Sequence, residues 1–197
     1  FALRLNECCG DKCYNGSCTC PTAPGAPTAQ KDYYLKYTLN YTRDADAILP
    51  LEIGVWTTPG CRAYYGVLRN DSNPEALSST SFTMTEDSTV QLAIGHQHVG
   101  SINISITVNG KLLCASYPTY GTQEGVPGNE KGFLVKMSHC ISPAGADPST
   151  VNAGPLTVEG PVQLSAGDEV TLKSYYWVGS EDKRTAPIPG GTHLNVM

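Results

Sequence analysis

No run of the sequence approaches the roughly 18–20 apolar residues that a membrane-spanning helix requires. No cluster of basic residues occurs either: the 13 Lys and Arg are scattered among 18 Asp and Glu, never more than two together, for a net charge of −5. The first absence excludes a helical membrane span. The second removes the electrostatic footprint by which a protein binds nucleic acid. No window of about twelve residues repeats its apolar positions with the period of a helix, and 20 Gly and 14 Pro interrupt the chain too often for long helices. No internal repeat is visible, and no Ser-His-Asp, Cys-His or paired-carboxylate arrangement stands out. The chain opens at Phe1 with neither an initiator Met nor a basic-then-apolar leader, so a processed or partial chain is expected.

Cysteine, in contrast, is plentiful. The eight residues Cys8, Cys9, Cys13, Cys18, Cys20, Cys61, Cys114 and Cys140 are an even number, and four N-x-S/T sequons stand at Asn15, Asn40, Asn70 and Asn103. Together they point to an oxidising, glycosylating route and a secreted, extracellular glycoprotein carrying N-linked glycans, with cell wall or matrix as a destination. Two sequons fall where strand alternation needs an outward polar residue. In "YYLKYTLNYT", Tyr33, Leu35, Tyr37, Leu39 and Tyr41 form one face and Asn40 lies opposite; in "SINISITV", Asn103 lies opposite the isoleucines.

The organisation along the chain is uneven. Residues 1–20 hold five cysteines as CC-x3-C-x4-C-x-C, a disulfide-rich knot too small to bury a core. "PTAPGAPTAQ", residues 21–30, is a Pro-rich linker. From residue 31 to 197 short alternating segments are separated by turn residues, over 33–42, 51–57, 82–85, 90–98, 101–108, 111–117, 132–138, 157–164, 169–178 and 192–197. Asn109-Gly110 is the strongest hairpin signal among them. The expected fold is all-β, an antiparallel β-sandwich or jelly-roll behind an N-terminal disulfide-rich segment. Cys114 and Cys140 each end a strand far from the knot and are expected to bridge each other. Five cysteines in the knot leave one to reach outward, and Cys61 is its expected partner.

The residue pattern that carries chemistry is "GHQH". Alternate residues of a strand share a face, so His96 and His98 project together, in phase with Val90, Leu92 and Ile94. If the strand runs straight they look inward or into a cleft at its rim. Two imidazoles at this spacing aim at a common point, and a third ligand would come from His139, His193 or Met197. Imidazoles with a thioether favour copper, because soft sulfur suits Cu(I). Other conspicuous residues read as structural: Trp56 and Trp177 as packing, the tyrosines near residues 33–41 as a half-buried strand face, and His139 as local structure beside Cys140.

The run "GHQHVGSINISITVNGKLLCASYPTYGTQEGVPGNEKGFLVKMSHC", with the "CC" cluster and the Tyr-rich segment before it, resembles the stress-up-regulated Nod19 family of plant and related secreted proteins. That family is distantly similar to the C-terminal domain of copper type II monooxygenases, which act on peptidylglycine or dopamine. The resemblance implies a copper held by His96, His98 and Met197, with a redox or copper-holding role. It also implies that hydroxylation would need a second copper on three histidines of a preceding domain. His139 and His193 do not supply that set, so this chain by itself is not expected to be a self-sufficient monooxygenase. The competing expectation is an extracellular structural or assembly module without catalysis. Its sheet edge near residues 192–197 would be completed by a neighbouring copy, a segment of a second chain or sequence downstream of residue 197, and repetition of a head-to-tail contact between copies would build a filament.

Overall fold

The computed structural model describes residues 34–39, 41–60, 65–68 and 70–179, together with the backbone of 193–196. The chain divides into two units, Phe1–Ile53 and Gly54–Met197. The disulfide partners expected for Cys61 and for Cys8, Cys9, Cys13, Cys18 and Cys20 lie outside the described residues, as do the sequons at Asn15 and Asn40.

In the first unit the described residues are exposed and form no strand, with one 3-10 turn at Ala45–Ala47. Asp44 caps that turn by accepting from the Asp46 N–H at 3.1 Å. Leu35 is 90% exposed and Tyr41 82%. The strand expected over 33–42 is therefore not formed among the described residues, and neither is the one over 51–57. Alternation supplies an apolar face, but a strand also needs a neighbour to take up its backbone N–H and C=O groups. No described segment does so here.

The second unit is nearly all β. Its main sheet is built of β2 (Glu75–Thr83), β5 (Ser101–Val108), β6 (Lys111–Ser116) and β12 (Glu169–Trp177), in the order β2-β12-β5-β6 with every pairing antiparallel. A three-stranded sheet of order β10-β9-β4 contains β4 (Ala93–Ile94), β9 (His139–Ser142) and β10 (Ala153–Glu159). Within it β10 runs parallel to β9. Three antiparallel pairs complete the unit: β3 (Ser88–Val90) with β11 (Val162–Leu164), β7 (Pro118–Tyr120) with β8 (Leu134–Met137), and β1 (Tyr65–Leu68) with β13 (His193–Val196). The architecture is the expected antiparallel β-sandwich. One edge of the last strand is filled by β1 of the same chain.

The main sheet follows from alternation. In β12, Val170, Leu172, Ser174 and Tyr176 are buried while Thr171, Lys173 and Tyr175 are only half-buried. The apolar side meets Ile106 and Cys114 of its own sheet and Cys140 and Ile141 of β9, with Leu164 closing the core. A second, smaller cluster gathers Tyr65, Val67 and Ala76 around Tyr176 and Val178. Trp56 meets Phe82 edge-on at 5.1 Å, but it is 36% exposed and lies outside any strand, so it is a surface contact and not the strand packing residue that was expected. Cys114 and Cys140 are bonded as expected, and the bond joins β6 to β9, one sheet to the other across the core.

The predicted hairpin at Asn109-Gly110 forms, with φ of 50° and 76° at the two residues, the left-handed values that a two-residue turn of this hand requires. Asn109 also reaches sideways. Its Nδ2 donates to Asp168 Oδ1 at 2.7 Å, its Oδ1 accepts from the Glu169 N–H at 2.9 Å, and Asp168 Oδ2 accepts from the Ser165 N–H at 2.8 Å. The β5–β6 turn is thereby tied to the β11–β12 turn.

Two tests follow from this fold. The bridge closes a loop across a sequence separation of 26, so replacing both Cys114 and Cys140 by Ser should cost about 3.5 kcal/mol in a urea-unfolding measurement; a change below about 1 kcal/mol would show that the bridge does not constrain the unfolded chain. The Ser165 N–H, and then the Asn109 amide, hold the Asp168 carboxyl below the ordinary aspartate range. A carboxyl shifted in that direction stabilises the fold above its unfolded pKa, and the contribution disappears as pH falls through the lower, folded value. In a carboxyl-carbon NMR titration Asp168 should protonate below a typical exposed Asp, and Asn109→Ala should move it upward.

Candidate functional site

The histidine pair owes its position to the residues around it. β3 and β4 belong to different sheets, so the strand expected over 90–98 is broken at Gln91 and Leu92. The break changes which residues face inward. Val90 and Ala93 pack on the core, whereas Leu92 and Ile94 are 46% and 53% exposed. Beyond Ile94 the chain leaves the sheet and passes over β5. Gly95 makes this approach: a Cβ there would lie 2.2 Å from Ile104 Cγ2, and the Gly95 N–H donates to Ser116 Oγ at 2.9 Å.

The buried residue of "GHQH" is then Gln97, which is 3% exposed. Its Nε2 donates to Ser174 Oγ at 2.8 Å, to the Asn103 carbonyl at 3.1 Å and to the Tyr175 carbonyl at 3.3 Å. Its Oε1 accepts from Ser101 Oγ at 2.5 Å. The two carbonyls can only accept, which fixes the orientation of the amide. One side chain thus joins β5 to β12 from inside the core. The next residue is held as well, because the His98 N–H donates to the hydroxyl of Tyr176 at 3.1 Å, and Tyr176 is 1% exposed.

In extended chain the neighbours of an inward residue point outward. His96 is accordingly exposed and His98 half-buried. The expectation that the pair continues the apolar face is corrected: the pair stands on the outer side of the segment, and the residue between them is the core residue. The two rings remain together, with centroids 5.6 Å apart and planes inclined at 69°. A metal–imidazole nitrogen bond is about 2.0–2.1 Å, which places two rings sharing one ion roughly 5–5.5 Å apart. The observed separation is close to that value.

The other expected ligands are placed less closely. Met197 lies outside the described residues, and of His193 only the backbone, in β13, is described. His139 pairs with Ile94 across β9 and β4, and its Nδ1 is buried without a hydrogen-bond partner. Among the described residues no third His, Cys, Asp or Glu joins the pair. Sequence reasoning missed Gln97, Ser101 and Ser174. A signal existed: Ser174 sits in phase with Val170, Leu172 and Tyr176, and a hydroxyl on an apolar strand face implies a buried polar partner.

The two described sequons differ. Asn70 is exposed at a turn, its Oδ1 accepting from the N–H groups of Ser72 and Asn73. Asn103 does lie opposite the isoleucines, but it is half-buried and opens into a shallow cavity of about 330 Å³ on the outer face of the main sheet.

Substituting Gln97 tests the clamp. Gln97→Leu keeps much of the side-chain volume but leaves the hydroxyls of Ser101 and Ser174 and two strand carbonyls without their partner. It should cost about 2–4 kcal/mol in chemical unfolding, whereas a loss under about 0.5 kcal/mol would show that the buried amide is dispensable.

No curated protein and no solved structure matches the chain. The family model described as stress up-regulated Nod 19 matches residues 57–188. That span runs from the start of the sandwich past the end of β12 and includes the histidine pair, the Gln97 clamp and both bridged cysteines, and the chain therefore belongs to the stress up-regulated Nod 19 family.

Proposed function

We propose that this chain is a secreted, N-glycosylated β-sandwich domain of the Nod19 family that holds one copper ion through His96 and His98. The observation that carries the reading is the pair itself: two imidazoles 5.6 Å apart on a segment whose backbone is pinned by the core. Such pinning matters because ligands held in place before binding lose little freedom when the ion arrives. Gln97 fixes the segment between the rings, and Tyr176 fixes the His98 peptide. Met197 is the proposed third ligand, on the strength of the family resemblance and of its thioether, which would favour the reduced ion. Bound copper would supply one-electron redox chemistry; the chain's own residues supply the two nitrogens and an open approach on the His96 side. Hydroxylation by this chain acting by itself is not proposed.

A second reading has its own support. The alternating apolar side chains of Leu35, Tyr37, Leu39 and Tyr41 are exposed, and strand addition by another chain is one way to cover such a segment. On that reading the protein is an extracellular assembly module, self-associating through its strands and binding no metal. The two differ in a direct measurement. Purified protein loaded with copper and dialysed should retain about one ion per chain, and His98→Ala should lower the affinity by more than the roughly 10–100-fold that loss of an outer hydrogen-bond partner costs. Equal retention by wild type and His98→Ala would end the copper reading.

A further inference from the structure

The cavity on the outer face of the main sheet is unused by anything above, and its floor contains a sequon. Asn103 and Ser105, the first and third residues of Asn103-Ile104-Ser105, both line it. Across the β5–β12 pairing, Asn103 stands opposite Tyr175 and Ser105 opposite Lys173. Leu112 and Ala115 of β6, Tyr117 just after it and Leu156 of β10 form the wall. Below the floor the Asn103 carbonyl is held by Gln97, so the backbone that carries the sequon is anchored from the core side. The Asn103 side chain, on the opposite face, has no hydrogen-bond partner among the described residues, and neither does the Lys173 ammonium.

We propose that this cavity is the seat of the protein's own N-glycan, with the first N-acetylhexosamine of an Asn103-linked chain packed between Tyr117 and Tyr175. The proposal rests on the secreted reading given above. A volume of about 330 Å³ is at the lower end of what small-ligand sites offer and suits one sugar residue. Tyr117 and Tyr175, with Leu112 and Leu156 beside them, match the C–H faces of a pyranose ring, as amphipathic aromatic side chains do at half-wet sites. Lys173 and the hydroxyls of Ser105 and Thr107 face the sugar's hydroxyls and acetamido oxygen. Attachment occurs on the unfolded chain, so the half-buried position of Asn103 in the folded protein is no obstacle. The Asn103 Nδ2 forms a bond to C1 of a lipid-pyrophosphate-linked oligosaccharide as the C1–O bond to pyrophosphate breaks. The amide gives up one proton, and the lipid pyrophosphate leaves with the bonding electron pair. The chain then folds around a sugar already in place. A free N-acetylhexosamine has the same chemistry, but a glycan on Asn103 would fill the cavity before any free sugar could enter, so the occupant is the chain's own.

The test uses the full chain secreted from a glycosylating host. Glycopeptide mass spectrometry should find both Asn70 and Asn103 occupied. Under native conditions an amidase that cleaves the glycan–asparagine bond should release the Asn103 glycan at least about tenfold more slowly than the exposed Asn70 glycan, because cleavage needs the sugar to leave its seat. Tyr175→Ala should bring the two rates together, and Asn103→Gln should lower the melting temperature by about 3 °C where Asn70→Gln does not. Occupied Asn70 with empty Asn103, or equal release rates in the wild type, overturns the proposal while leaving secretion intact. No glycan at either site overturns the secreted reading as well. Saturable binding of free N-acetylglucosamine to wild-type protein fully glycosylated at Asn103 also overturns it, since the cavity would then be open to an outside ligand.

Discussion

The histidine-bearing end of this sandwich depends on one buried amide. Gln97 lies in the core and satisfies two serine hydroxyls and two strand carbonyls. A polar group in that position is costly unless every bond is made, so the segment around it has one acceptable arrangement. That arrangement requires Gly95 to lie directly over Ile104 and Ser116 and turns His96 and His98 away from the core. The histidines are thus oriented by what lies behind them.

The same sheet has two unlike faces. Inward, Ile106, Val170 and Leu172 meet the second sheet, and the Cys114–Cys140 bond ties the layers together. Outward, the odd-numbered residues of β5 and β12 bring amide, hydroxyl, ammonium and phenol groups around a shallow cavity. The Asn103 residue belongs to both sides, its carbonyl bound to Gln97 beneath and its side chain facing the cavity above. The copper reading and the glycan reading therefore share a mechanical element, since loosening Gln97 would disturb the backbone under each.

Much of the fold was legible because it rests on local pattern. β5, β6 and β12 fall within a residue of the predicted segments, since strict alternation and an Asn-Gly turn leave little choice of period or register. β1, β7 and β9 were missed, each only three or four residues long and too short to show a period; the nine-residue β2 was missed except for Phe82 and Thr83, because Ser and Thr occupy both its faces and leave no apolar alternation to read. The apolar alternation over 33–42 misled in the opposite direction. There the pattern is clear, but no described strand pairs with it.

What the amino-acid sequence determined by itself is the all-β class, the central hairpin, the Cys114–Cys140 bridge and the presence of two histidines with one residue between them. These depend on residue type and short-range spacing. Only the tertiary structure decided which way that triplet faces. A break of two residues, Gln91 and Leu92, passes the chain from a strand paired with β11 to one paired with β9 and reverses the inward parity. Parity is set by pairing partners far away in sequence, and a single-residue shift exchanges core for surface. That is why Gln97, and neither histidine, came to be buried.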